Sequence, residues 1–224
     1  MQKIYEGKTK DVFTMEDGNI MLQFKDAVTG AEGKIDSGAN AVVGEIEGKG
    51  IASLRLTVYF FELLHGAGIP SHFVAMGTQP NSIIVKSANS YGVEVICREK
   101  AWGSFVRRYG KYVTQGTPLP SLIEFTIKDD KQGDPLITTD ALVALDIVSP
   151  AEAKYMARTA QEITALIKAD LATRKLELVD IKYEFGNVND EPLLIDEISG
   201  DSMRVVRDGK VLLPHELAPA ILGS

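Results

Sequence analysis

The chain has 224 residues, 45% hydrophobic and 25% charged, which suits one large domain or two small lobes around a shared cleft. Its 31 acidic and 24 basic side chains give a formal charge of −7, without the clustered Lys and Arg that displace counterions, so no nucleic-acid partner is expected. A single cysteine excludes an internal disulfide and a Cys-cluster zinc site, and the lack of a long apolar run or a signal-peptide core predicts a cytoplasmic protein with no membrane partner.

The first fifty residues read as short strands and turns: "KIYEGKTKDVFT", the turn "EDGN", then "IMLQFKD". Gly7 allows a close backbone turn, after which Lys8 and Lys10 share one strand face. Such a pair suits a polyphosphate, and it equally suits an edge strand guarded against aggregation. The stretch "TGAEGKIDSGANAVVGEIEGKG" predicts a long loop over 30–48, of a length that is functional or disordered inside a compact domain. From Ile51 the period changes: Leu54, Val58 and Phe61 suit an amphipathic helix, stopped by "HGAGIP".

Strand-like runs follow, "SHFVAMG", "SIIVKS" and "VEVICRE", with a lobe boundary near "MGTQP" that divides the chain into 1–78 and 79–224. Cys97, between Ile96 and Arg98, reads as a small core residue. In "CREKAWGSFVRRYG", Arg98 offers a planar fork for a phosphate monoester, while Gly103 and Ser104 can supply backbone N–H groups and a hydroxyl. Arg107 and Arg108 add positive charge. In "KDDKQGDPLI", Asp134 precedes a proline and is biased to extended backbone; it serves either as an acceptor for a substrate amine or as a simple turn residue. "SPAE" starts the clearest helix, with Ser149 as cap, Pro150 in the first turn and Glu152 completing a capping box; Met156, Ile163, Ile167 and Leu171 then recur at helical spacing.

The segment "VDIKYEFGNVNDEPLLIDE" over 179–197 reads as a hairpin. Asp180, Lys182 and Glu184 share one face, and Val179, Ile181, Tyr183 and Phe185 share the other. The return strand brings Asp196 opposite or diagonal to Glu184. Two repelling carboxylates either form a solvated face or share a cation, and the hard oxygen pair favours magnesium (Mg2+), which completes its shell with water and phosphate. Just beyond lie Asp201 and Arg204, where an arginine can face an anion. The three histidines, His65, His72 and His215, fall in no recognisable catalytic arrangement, and covalent hydrolytic catalysis is disfavoured. Strands, helix, strands, helix and hairpin together predict an α+β protein with mainly antiparallel sheets.

Taken jointly, "YEGKTKDVF", "FKD", "AGIPSHF", "EVICREKAWGSFVRRYG", "KDDKQGDP", "DIKYEFG" and "IDEISGDSMR" resemble the SAICAR synthetase family of purine biosynthesis, in that family's order and over nearly the whole chain. The resemblance implies a two-lobed fold with an ATP cleft, related to kinase-like and ATP-grasp architectures, and commonly a homodimer. It implies an ATP-dependent ligase that joins L-aspartate to carboxyaminoimidazole ribotide (CAIR), releasing ADP and phosphate. By matched position, Lys8 and Lys10 would approach ATP phosphates, and Glu184 and Asp196 would hold magnesium. Arg98, Ser104 and Arg204, with Asp201 nearby, would bind the ribotide; Lys182 and Asp180 would lie near its carboxylate, with Asp134 on the substrate-side loop. The alternatives are a small-molecule kinase using the same groups and a nucleotide-binding module without chemistry.

Overall fold

A computed structural model of the chain describes residues 1–31, 33–37, 39 and 41–223. In chain order it contains β1 (Gln2–Glu6), β2 (Lys10–Thr14), β3 (Ile20–Phe24), β4 (Ala27–Ala31), β5 (Lys34–Ile35), β6 (Ala41–Glu45) and α1 (Lys49–Gly66). Next come β7 (Phe73–Met76), β8 (Ser82–Val85), β9 (Asn89–Lys100), α2 (Gly103–Tyr109), β10 (Pro118–Ile127), a 3-10 turn (Asp130–Gln132), β11 (Leu136–Ile137), α3 (Thr139–Ala144) and α4 (Pro150–Ala172). The chain closes with β12 (Glu177–Val188), β13 (Glu191–Ile195), β14 (Met203–Arg207), β15 (Lys210–Val211) and α5 (Pro214–Leu222).

These strands form three antiparallel sheets, and with the helices they make the expected α+β architecture. The first sheet has the order β1-β2-β3-β8-β7, and the largest runs β11-β10-β9-β12-β14-β15 with β13 added to β12. A small sheet, β5-β4-β6, occupies the stretch expected to be a loop over 30–48. Thr29 pairs with Val42 and Gly30 with both Ile35 and Ala41, so β-prone residues find ladder partners despite the surrounding glycines. Glu32, Gly38 and Asn40, which belong to that expected loop, and Ser224 lie outside the described residues.

Local chemistry explains why the helices start where they do. Ser149 Oγ accepts from the Glu152 N–H at 3.2 Å, and Glu152 Oε2 accepts from the Ser149 N–H at 2.7 Å; these are the two reciprocal bonds of a capping box at α4. The buried stripe Met156, Ile163, Ile167 and Leu171 then packs on the apolar face of β12 and β9. There the buried Tyr183 hydroxyl meets Thr164 Oγ1 at 2.9 Å, which satisfies both groups. At α1, Asp26 of "FKD" accepts from the N–H groups of Gly48 (3.2 Å) and Gly50 (2.8 Å), so this acid caps a helix from outside it.

Leu22, Phe24, Ile83 and Val85 of the first sheet belong to the same buried cluster as Val93, Val95 and the α4 stripe. The two large sheets therefore share one core. A division at residue 78 would separate β7 from β8, which are hydrogen-bonded neighbours. The first sheet instead continues through Val85, past the boundary expected from the turn "MGTQP".

Candidate active site

The polar face of β12 is the floor of the site. Register sets Asp180 against Arg98, Lys182 against Ile96 and Glu184 against Glu94 on β9. On the far side of β9, β10 sets Glu124 against Ile96 and Thr126 against Glu94, while β14 sets Arg204 against Asp180. With a side-chain period of two, all of these residues project to one face. Glu94 and Glu184 are like charges directly opposed, which is unfavourable unless neutralised. Lys182 Nζ donates to Glu94 at 2.6 Å, Thr126 Oγ1 donates to the other Glu94 oxygen at 2.8 Å, and Lys128 Nζ reaches both oxygens of Glu184 at 2.6 and 2.7 Å.

Between this floor and the first sheet lies a cavity of about 220 Å³, lined by Lys8, Lys10, Glu94, Lys128, Lys182, Glu184, Asp196, Glu197 and Asp201 among others. Lys10, the first residue of β2, bridges Asp196 Oδ1 at 2.9 Å and Glu197. Lys8 sits in the bend before β2 rather than on the strand face expected for it, and pairs with Asp130 at 2.7 Å across the cavity mouth. Burial opposes the charge on Lys10, but Asp196 and Glu197 outweigh it and raise the ammonium well above the usual lysine range. Burial likewise opposes ionisation of Asp196, yet Lys10 and Lys128 hold its carboxyl far below the usual carboxylate range. Glu184 moves the other way, upward, through burial and the Asp196 charge.

Two acids with opposite shifts in one cavity behave as a repelling pair, each met by an ammonium group, Lys10 on Asp196 and Lys128 on Glu184. Their oxygen donors fit magnesium, which takes one or two protein carboxylates and leaves its remaining positions to water and phosphate. No cluster of three or more His, Cys, Asp or Glu that could hold a metal occurs among the described residues, so a metal here would depend on ligands brought by a substrate.

A second cavity of about 130 Å³ adjoins the first at Ser37, Glu94, Lys182 and Ser202, and is lined by Arg98, Arg107, Arg108, Arg204, Ser104, Asp134 and Asp180. Arg98 is fully enclosed: Nε donates to Glu124 at 2.5 Å, Nη1 to Asp180 at 2.8 Å and Nη2 to Ser104 Oγ at 3.0 Å. Arg204 Nη1 donates to both Asp180 oxygens at 2.9 and 2.8 Å, and its Nη2 donates to Asp36 at 2.7 Å. Gly103 has φ +50, and a Cβ added there would lie 2.9 Å from Arg204 Nη2, so the missing side chain makes space for the guanidinium.

Nearly all of the residues singled out in the sequence line one of the two cavities, though several in different positions from those expected. Asp180 lines the arginine cavity and is clamped between two guanidiniums. Asp201 lines the first cavity and not the arginine cavity, and it accepts from the buried Lys49 at 2.6 Å and from Ser53 at 2.9 Å. Burial and the charge of Glu197 push it up to about 6. Asp134 does line the arginine cavity and accepts from the Asp129 N–H at 2.9 Å, but with φ +49 rather than the extended backbone expected before a proline. Cys97 is buried in the core, and burial pushes its thiol up to about 11, unsuited to a nucleophile. Glu94, Glu124, Lys128, Glu197 and Asp36 carry much of the electrostatics without having been singled out. The alternation Glu124, Thr126, Lys128 is the one signal that marks three polar groups on a single face.

An antiparallel α+β fold in which a lysine–carboxylate cavity opens onto an arginine cavity defines a class: an enzyme of charged small molecules. A family profile described as SAICAR synthetase matches residues 3–212. The phosphoribosylaminoimidazole-succinocarboxamide synthase of Clostridium tetani is 45% identical over 99% of this chain and 100% of its own length. A solved SAICAR synthetase in complex with ADP superposes with a TM-score of 0.84 at 30% identity, covering 93% of this chain and 87% of that one. The SAICAR synthetase of Pyrococcus horikoshii gives 0.85 at 28% identity over 96% and 98%. The chain belongs to the SAICAR synthetase family.

Proposed function

We propose that this chain carries out the family's ATP-dependent ligation in purine biosynthesis at the paired cavities, joining L-aspartate to CAIR to give SAICAR, ADP and phosphate. The observation that carries the assignment of roles is the junction of the two cavities at Lys182 and Glu94, between a lysine–carboxylate end and an arginine end. The ADP-bound relative supports nucleotide at one of them. In this reading Lys8 and Lys10 take the ATP phosphates, and Arg98, Ser104 and Arg204 take the ribotide phosphate. The ribotide carboxylate then lies at Lys182. Asp201 braces the nucleotide end through Lys49 and does not bind ribotide. The enzyme is cytoplasmic and acts as a homodimer, which sedimentation would register.

A free carboxylate cannot expel oxide, so amide formation requires activation. A carboxylate oxygen of CAIR attacks the γ-phosphorus, the bond to the ADP oxygen breaks, and an acyl phosphate results. The aspartate amine then attacks the acyl carbon, inorganic phosphate leaves, and the amine proton passes to an acceptor, for which Asp134 is the candidate on the substrate side. Glu184 and Asp196 would hold magnesium, which when bound supplies positive charge against the transferring phosphoryl group. Lys182 acts as a fixed cation: although burial opposes its charge, Glu94 and Glu184 raise it well above the usual lysine range, so it orients a carboxylate and does not serve as a base. Catalysis is then largely positioning and electrostatics.

The test is release of phosphate from ATP, CAIR and magnesium with and without L-aspartate, with mass analysis of the product. Aspartate-dependent phosphate and a SAICAR product are expected; a stable phosphate ester on a hydroxyl, accumulating with ADP and without free phosphate whether or not aspartate is present, would make the chain a kinase. Gly103→Ala should raise KM for CAIR about fivefold and leave KM for ATP unchanged, because displacing Arg204 and straining φ cost about 1 kcal/mol. Equal effects on both KM values would remove Arg204 from the ribotide site.

A further inference from the structure

Asp196 and Glu197 are consecutive, yet both side chains meet the one Lys10 ammonium. On a continuing strand they would point to opposite faces. β13 stops at Ile195 and Asp196 takes φ +67, a left-handed conformation that costs a non-glycine residue about 1 kcal/mol or more and persists only where the surroundings hold it. The surroundings include a histidine. His72 Nε2 lies 3.0 Å from the Asp196 carbonyl oxygen; a carbonyl only accepts, so Nε2 carries the proton.

We infer that His72 is a positioning residue that locks the left-handed backbone at Asp196, and thereby aims both acids at the nucleotide end of the cleft. The ring is well anchored for this. The His72 N–H donates to the Leu194 carbonyl at 2.9 Å and its own carbonyl accepts from Lys86 at 2.7 Å, while Ser71 bridges Leu194. Phe61 packs edge-on against the imidazole, with centroids 5.7 Å apart, and the side chain is buried. His72 is thus tied by backbone to the strand that ends at Asp196, and by side chain to the residue where that strand breaks. This gives "AGIPSHF" a part in the site although none of its residues lines either cavity.

The inference rests on the proposed reading of the first cavity as the nucleotide–magnesium end, and calorimetric ADP binding, with and without magnesium, separates the two. His72→Leu should weaken ADP binding about tenfold when magnesium is present, the worth of one good hydrogen bond, and weaken magnesium-free binding, which keeps only the Lys10 contact to lose, by a smaller factor. His72→Gln, which keeps a donor of similar reach, should restore most of the loss. If the leucine variant does not fold, His72→Asn, whose donor falls short, takes its place with the same expectation. Binding by His72→Leu equal to wild type, or an equal loss without magnesium, overturns the role of His72. Wild-type protein that binds no ADP with magnesium overturns the reading of the cavity itself.

Discussion

Asp196→Asn and Glu184→Gln should each lower steady-state phosphate release by about 10²–10³-fold at saturating substrates, the loss typical of removing one preorganised charge-stabilising group. Both replacements keep the shape of the side chain and remove its charge. The fold should survive for separate reasons at the two positions. Lys10 keeps Glu197 when Asp196 is neutralised. Lys128, the partner of Glu184, is 47% exposed and can turn to solvent. Glu184→Gln removes a carboxyl that burial and the Asp196 charge push upward, so its unfolding midpoint should hold or rise as activity falls, whereas Asp196→Asn gives up the attraction to Lys10 and Lys128 that holds its carboxyl low, so its midpoint should fall. Rates at wild-type level across a magnesium titration would remove these carboxylates from the reaction.

The pattern that exposed the site in the sequence is local: Asp180, Lys182 and Glu184 alternate with buried apolar residues, and a period of two needs no knowledge of the rest of the chain. The capping box of α4 is local in the same way. What the sequence hides is pairing over distance. Arg98 meets Asp180 across 82 positions and Lys10 meets Glu197 across 187, so whether an arginine is free to bind a phosphate or already committed to an acid depends on strand register. Two prolines, at 118 and 120, obscure β10 and with it the polar row that ends at Lys128. The segment over 30–48 looks like a loop because glycines punctuate it, yet its short runs pair with one another, and its Asp36 reaches Arg204 across 168 positions. His72 has no neighbour in sequence that hints at a role, since its partner is a backbone carbonyl 124 residues away.

Asp180 tests whether a charged residue on the floor of the site takes part in the chemistry or holds other residues in place. Its carboxylate accepts from Arg98 and from Arg204, and all three groups are buried. Asp180→Asn leaves the volume intact and sets two guanidiniums beside an uncharged amide, with Glu124 still on Arg98 and Asp36 still on Arg204. Removing one member of a buried ionic cluster costs about 3–5 kcal/mol; the lower figure is expected here because both arginines retain an acid, and chemical denaturation would measure it. With the two forks no longer held in register, KM for CAIR should rise while KM for ATP stays constant. At saturating CAIR, below the unfolding range, kcat should remain within about tenfold of wild type, since a misplaced positioning group acts mainly on binding. A thousandfold fall in kcat with stability unchanged would instead make Asp180 a participant in proton transfer.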